Sequence, residues 1–413
     1  MFLINRRMLA VIGAAAVAST AFLGTPAQAA AGGAAKVVGT KTVQFRAVAG
    51  KANGLTITIS GRTVTLDDKV AIIPGKGCKA VSGDKTKVRC TTSAKTATLD
   101  VNLGDKNDWV RNKTSVYLLA TGSLGNDTLI GGAAAEQLRG GGGNDTLYGN
   151  GGDDKLYGEG GNDILRGGSG HDEIYAGTGS DRAYGEAGGD LIEGASGNDV
   201  LLGGAGHDGV KGGSGNDSIY GEAGEDGLLG EDGDDRIFGG ADSDMVMGGA
   251  GRDVVYAGAG QVTFTDEDGE YVFGDIVDGG AGDDRLFGEG DVDVLFGSEG
   301  DDMISGGTGD DVAFGEGGND EIYGSDGDDI LVNEDADENG VPMGSSTATD
   351  LVNGGAHATI GDICLVTPAA RTAGCELFEL PESLVGKSAL SVAPSADVAT
   401  ILDRVAKIRA TLP

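Results

Sequence analysis

From residue 122 onward the apolar positions of this 413-residue chain fall into a nine-residue rhythm. Gly140-Gly141-Gly142-Gly143-Asn144-Asp145-Thr146-Leu147-Tyr148 is followed by Gly149-Asn150-Gly151-Gly152-Asp153-Asp154-Lys155-Leu156-Tyr157, and the register then holds. Fifteen such units run from 122 to 256 and six more from 279 to 332. Of these 21 units, 20 carry Asp at the sixth position, the exception being Glu136, and 19 carry Leu, Ile or Val at the eighth, the exceptions being Ala183 and Ala313. Positions one to six are rich in glycine and suit a tightly curved turn, whereas positions seven to nine suit a very short strand. Alternation along that strand points the eighth side chain inward and the seventh and ninth outward. Two units therefore make one flattened coil of about 18 residues, and coils stacked at about 4.8 Å build two parallel sheets. The core is a ladder of Leu147, Leu156, Leu165, Ile174 and their counterparts. The expected fold class is all-β, a parallel β-roll or β-helix solenoid.

The flanks read differently. Residues 1–29 have the form of an export signal, with Arg6 and Arg7, an apolar stretch from Met8 to Ala18 and an A-x-A pattern at Ala27-Gln28-Ala29, which puts the mature start near Ala30. The apolar run is shorter than the roughly 20 residues a membrane span needs. Residues 30–121 read as a small β cap, with strands over 42–48, 55–60, 62–66, 70–73 and 98–103, and Gly104 to Val110 as a degenerate echo of the repeat. Residues 257–278 read as an irregular insertion between two repeat blocks, 122–256 and 279–332. Residues 333–413 read as a second cap, which ends in a helix carrying Val398, Ile401, Leu402, Val405, Ile408 and Leu412 at helical spacing. Roughly eleven coils at 4.8 Å separate the two cysteine pairs by on the order of 50 Å, far beyond disulfide reach, so Cys78 is expected to bond Cys90 and Cys364 to bond Cys375.

Charge changes the picture of the repeats. Residues 122–332 carry 48 acidic and 8 basic side chains, whereas residues 36–121 carry 15 basic and 6 acidic ones. Stacking the coils places aspartates in rows, and self-repulsion on that scale opposes compaction unless cations are built into the fold. Glycine, at 79 residues, adds a heavy entropic cost that so few large side chains do not offset. Stacked carboxylates and bare turn carbonyls are the hard oxygen donors that Ca²⁺ takes, six to eight at about 2.3–2.6 Å. An acidic chain of this kind is a poor partner for nucleic acid.

The units resemble the GGxGxDxUx nonapeptide repeat of the RTX (repeats-in-toxin) family over residues 122–332. The resemblance implies a right-handed parallel β-roll with multiple Ca²⁺ ions, each between turns two units apart and held by sixth-position carboxylates and turn carbonyls. Carried onto this sequence, the candidate ligands are Asp127, Asp145, Asp154, Asp163, Asp172, Asp181, Asp190, Asp199, Asp208, Asp217, Asp226, Asp235, Asp244, Asp253, Asp284, Asp293, Asp302, Asp311, Asp320 and Asp329. Asp335 to Gly340 opens like an EF-hand loop but has Ser346 where that motif needs Glu, so it is either a further calcium loop or a solvated linker.

Other signals are weaker. Gly204 to Gly209 satisfies GxGxxG only as part of the repeat, and His171 and His207 sit at the variable fifth position as surface residues. Tyr148, Tyr184, Tyr220, Phe238 and Tyr256 recur on one outer face, broken by Arg166 and Leu202, and are expected to stack on one another. Neither HExxH nor GxSxG occurs, and residues 36–121 lack histidine, so no catalytic centre is expected. The sequence therefore points to a secreted, extracellular calcium-binding protein that folds on meeting calcium. An adhesin stiffened by calcium, with a cell-wall or matrix partner, is the rival reading, and an accessory module of a hydrolase a second one. Members of the RTX family usually leave the cell by a C-terminal signal; the N-terminal one here departs from that pattern.

Overall fold

The computed structural model describes residues 32–266 and 269–332, with further short strands at 351–353, 363–365, 371–373 and 376–377. The signal segment, the Asp335–Gly340 loop, Cys375 and with it the expected Cys364–Cys375 bond, and the terminal helix lie outside the described residues. Among the described residues there is no helix.

Two parallel sheets face each other along the roll, and alternate units contribute to alternate sheets. Thr146–Gly151 pairs with Ile164–Ser169 and that strand with Arg182–Ala187, while Lys155–Gly160 pairs in the other sheet with Glu173–Thr178. The register advances by 18 residues per coil, as Leu147 faces Leu165 and Leu156 faces Ile174. Eighth-position side chains fill the space between the sheets, each no more than 2% exposed from Leu129 to Leu331. Ala183 and Ala313 occupy the same inner ladder.

The strands are longer than the three residues expected. From Gln137–Gly142 to Glu321–Asp326 the roll strands run six residues, from position seven through position three of the next unit. Backbone pairing continues past a residue of positive φ at the second position, which Asn150, Glu159 and Glu186 occupy as readily as glycine does. The fourth position is stricter. Gly188 has φ +137°, and a Cβ there would collide with the carbonyl oxygen of Gly170, one coil below. At Gly188 the turns pack backbone on backbone and leave room only for glycine, whereas Ala134, Asp242 and Asp291 hold the fourth position in three other units.

The stretch at 257–278 is one more repeat unit with a guest. Val254–Ala259 leads into an antiparallel hairpin, Val262–Asp266 with Gly269–Phe273, after which Ile276–Ala281 takes the next place in the sheet of Lys155–Gly160, against Met245–Ala250. The roll is therefore continuous, and the two blocks expected from the sequence are one. The unit was hidden because its turn is split: Ala257 to Gly260 lies before the hairpin and Gly274 to Asp278 after it.

At the N-terminal end the coils extend into the expected cap. We label the strands there β1 (Gly33–Val38), β2 (Thr42–Ala47), β3 (Gly54–Ser60), β4 (Thr63–Asp67), β5 (Ile72–Pro74), β6 (Cys78–Val81), β7 (Asp84–Thr91), β8 (Thr98–Asp105) and β9 (Trp109–Asn112). β2 and β8 continue the sheet of Lys155–Gly160 in parallel, and β3 and β9 continue the sheet of Thr146–Gly151. The stack then stops because β1 runs antiparallel to β2, and β4 antiparallel to β3. β7 joins β4 and β6 joins β7, both antiparallel, with Cys78 disulfide-bonded to Cys90 across the last pair. Reversed strands and basic side chains blunt an edge that would otherwise template further pairing. Beyond Val332, the strands at 351–353 and 363–365 prolong both sheets.

Removing residues 261–273 joins Gly260 to Gly274 and leaves a complete nonad, Ala257-Gly258-Ala259-Gly260-Gly274-Asp275-Ile276-Val277-Asp278. The deletion is expected to change stability by less than about 1 kcal/mol in calcium-saturated urea unfolding, since it shortens a connection and leaves the nonad whole. In the same assay Leu201→Ala, which empties a fully buried site, should cost about 2–5 kcal/mol, and Leu202→Ala on the outer face well under that.

Candidate metal centre

The sixth residue of each unit ends the turn and points its carboxylate inward, beneath the backbone. There it meets the next coil. The N–H of Asp145 donates to Oδ1 of Asp163 at 2.7 Å, the N–H of Asp163 to Oδ1 of Asp181, and the N–H of Asp181 to Oδ1 of Asp199. One row runs on through Asp217, Asp235, Asp253, Asp284, Asp302 and Asp320, and begins ahead of Asp145 with Asp108 and Asp127. The second row passes from Glu136 through Asp154, Asp172, Asp190, Asp208, Asp226, Asp244, Asp275, Asp293 and Asp311 to Asp329. All twenty aspartates singled out in the sequence lie in these rows, each at most 4% exposed.

Two members escaped the sequence reading. Asp275 follows the hairpin, so its nine-residue context is interrupted, yet it takes the place between Asp244 and Asp293. Asp108 sits in the degenerate echo before the first clear unit; the Asn107-Asp108 pair, matching Asn126-Asp127, was the signal that marked it.

Along most of each row one carboxylate oxygen is satisfied by the rung and the other is not. From Asp108 to Asp311 the Oδ2 of every row aspartate is buried with no hydrogen-bond partner. A second oxygen faces it. A Cβ placed on Gly194, the first residue of its unit, would lie 2.6 Å from both Asp199 Oδ2 and the carbonyl oxygen of Gly212. The same pair recurs at Gly149, which faces Asp154 Oδ2 and the Gly167 carbonyl, and at Gly230, which faces Asp235 Oδ2 and the Gly248 carbonyl. An unpartnered carboxylate oxygen turned toward a carbonyl oxygen in a buried crevice is repelled by it and costs several kcal/mol unless a proton or a cation comes between them. Among the described residues no three Asp, Glu, His or Cys side chains gather on one point. A cation here would take one or two carboxylates and complete its shell with carbonyls, which is the donor chemistry of calcium rather than zinc.

Without a cation the rows hold protons instead. Burial pushes the Asp302 carboxyl up to about 6, Asp163 up to about 7, Asp154, Asp244 and Asp284 up to about 8, and Asp293 up to about 9, against the opposing pull of the rung hydrogen bonds. Neighbouring carboxylates add to the effect, as Asp275 and Asp311 do for Asp293.

The remaining singled-out residues have structural places. At the fifth position Asn144 Oδ1 accepts from the N–H of Asn162, and His171 Nδ1 from the N–H of Gly189 at 2.8 Å, so this histidine stands in for asparagine on an exposed edge. His207 Nδ1 likewise accepts from the N–H of Glu225. On the outer face Tyr220, Phe238, Tyr256 and Phe287 stack with ring centroids 4.9–5.1 Å apart, and Arg166 covers the Tyr184 ring at 4.1 Å. The four stacked rings spend their faces on one another.

The family model described as RTX calcium-binding nonapeptide repeat (4 copies) matches residues 120–147, 139–174, 175–210, 202–237, 229–263, 273–304 and 296–331. No curated protein matches the chain.

The raised carboxylates fix a sign for pH. Folded without metal, the rows bind protons more tightly than the unfolded chain does. That contribution to stability is full below about pH 4 and is lost as pH climbs through the folded values of about 6 to 9. With a chelator present, the β signal in far-UV circular dichroism is therefore expected to weaken from pH 4 to pH 9. Calcium saturation should remove the dependence and release protons at pH 7, measured by calorimetry in buffers of different ionisation enthalpy.

Proposed function

As a member of the RTX calcium-binding nonapeptide repeat family through residues 120–331, this chain is, we propose, an exported protein whose roll is ordered by calcium outside the cell, in a structural or binding role rather than a catalytic one. The observation that carries this reading is the pair of uninterrupted rows of buried carboxylates, in which aspartates such as Asp154, Asp199 and Asp235 present an unpartnered Oδ2 toward a turn carbonyl. We assign as ligands the sixth-position aspartates named above, together with Asp275 in the split unit. Calcium supplies the positive charge that 48 acidic side chains over residues 122–332 lack from their own sequence.

The magnitudes favour a switch set by location. A site with a dissociation constant near 10⁻⁴ M, met by about 1 mM calcium, gains about 1.4 kcal/mol. Summed over many sites in one cooperative stack, that exceeds the 5–15 kcal/mol of an ordinary domain. In a calcium-poor compartment the same rows must take up protons or bear their repulsion and desolvation unrelieved. The A-x-A pattern at Ala27-Gln28-Ala29 supports the export half of the reading.

With chelator at neutral pH the full-length chain is expected to lose most of its β signal, and calcium in the millimolar range to restore it in one steep transition. A chelated chain with full, calcium-insensitive β structure would falsify the proposal. Asp199→Asn, in mid-roll, should shift the midpoint to higher calcium, and sequencing the secreted protein should find its N-terminus near Ala30.

A further inference from the structure

The two carboxylate rows begin differently. The row that starts at Glu136 is closed by hydrogen bonds: Oε1 accepts from Asn112 Nδ2 at 3.4 Å and Oε2 from the N–H of Gly132 at 3.1 Å. The other row, traced back from Asp127 through Asp108, reaches Asn53 in the cap and has no such closure. At that point two adjoining peptide groups each hold a carboxylate. The N–H of Asn53 donates to Asp108 Oδ1, and the N–H of Gly54 donates to Asp68 Oδ1 at 2.6 Å.

Three oxygens are left over. Asp68 Oδ2, Asp108 Oδ2 and Asn53 Oδ1 are all buried without a hydrogen-bond partner, on residues 5%, 3% and 0% exposed. The orientation of the Asn53 amide is set, because its Nδ2 donates to the carbonyls of Lys51 and Leu103. Asp68 follows β4, in the antiparallel part of the cap, and belongs to no nine-residue unit. A protein that needed only to end its stack had the Glu136 solution available, in which every oxygen is paired. Leaving two carboxylates and an amide oxygen bare in one buried place costs several kcal/mol with nothing bound.

We propose that Asp68, Asp108 and Asn53 form a site for one hard divalent cation of the calcium class in the N-terminal cap, outside the repeats. Two carboxylates neutralise the ion and the amide oxygen adds an uncharged hard donor, with backbone carbonyls and water completing the shell. The cation ties β3, the end of β4 and the start of β9 to one point, so it fixes the surface on which the first repeat coil stacks. Lys69, exposed, is the cation whose field both carboxylates feel.

The chain carries its own reporter. Trp109, its single tryptophan, follows Asp108, and its indole lies against Gly54, where a Cβ would come within 2.7 Å of Nε1. Terbium takes the same oxygen donors as calcium, and its emission is sensitised by an indole only at close range. On the full-length chain, terbium emission excited through tryptophan should appear on titration and be displaced by calcium. Asp68→Asn should abolish most of that emission and lower bound terbium by one ion per chain, with the far-UV spectrum of the calcium-loaded roll kept. Asp127→Asn, one coil away, should keep the emission. Lys69→Ala removes an exposed like charge and should tighten the tryptophan-reported titration about twofold. Wild-type emission and ion count in Asp68→Asn would assign the signal to the repeat rungs and overturn the site, as would the absence of tryptophan-sensitised emission in the native chain. Should Asp68→Asn fail to fold, an unchanged midpoint in Lys69→Ala overturns it instead. This readout is separate from the calcium dependence of the repeats, which can fail while the cap still binds its ion.

Discussion

The rung on which the roll depends is a backbone amide bonded to a carboxylate one coil away, as in Asp145 to Asp163. It fixes Oδ1 and therefore decides where Oδ2 must point. Each coil repeats the same choice, so one local hydrogen bond becomes two long files of buried carboxyl groups. The aliphatic ladder between the sheets is only one side chain per unit. At about 25 cal/mol per Å² of apolar burial, so thin a core leaves little surplus once the entropy of a glycine-rich backbone is counted. Sheet, core and turn are thus all consistent with a structure whose deciding term is electrostatic.

Much of this was legible in the sequence because the repeat is self-checking. A period of nine that sets Asp at one position and an aliphatic residue two later specifies coil length, register and inner face together. What escaped detection was what breaks the period. Asp275 is separated from its turn glycines by a hairpin, and Asp108 lies in a coil whose partners are spread over residues 42–60 and 98–112. Asp68 was invisible for a deeper reason: its neighbour Gly54 is brought to it by the antiparallel pairing of β3 and β4, which no local spacing encodes. The strands also came out twice as long as expected, because positive-φ residues at the second position bend the chain without ending its pairing.

Protons and cations compete for the same oxygens, and this links the pH behaviour of the rows to their metal chemistry. A buried carboxyl raised to about 8, as at Asp154, is neutral when empty and must lose its proton to bind. Acidity therefore holds the roll together in a different state from the one calcium favours. Fifth-position side chains such as Asn144 and His171 add a second, exposed set of rungs that run in the opposite direction, so adjoining turns are clasped from both sides.

The hairpin carried by the split unit shows how little the roll asks of its turns. Thirty-one residues stand where eighteen would serve, and the rung from Asp244 to Asp275 still measures 2.7 Å. Structurally, each turn is an equivalent mounting point on a graduated rod, about 4.8 Å from the next along one edge. Such a rod can acquire new surface loops one at a time, at chosen heights, without renegotiating its interior. Diversity along its edge and constancy within it evolve separately.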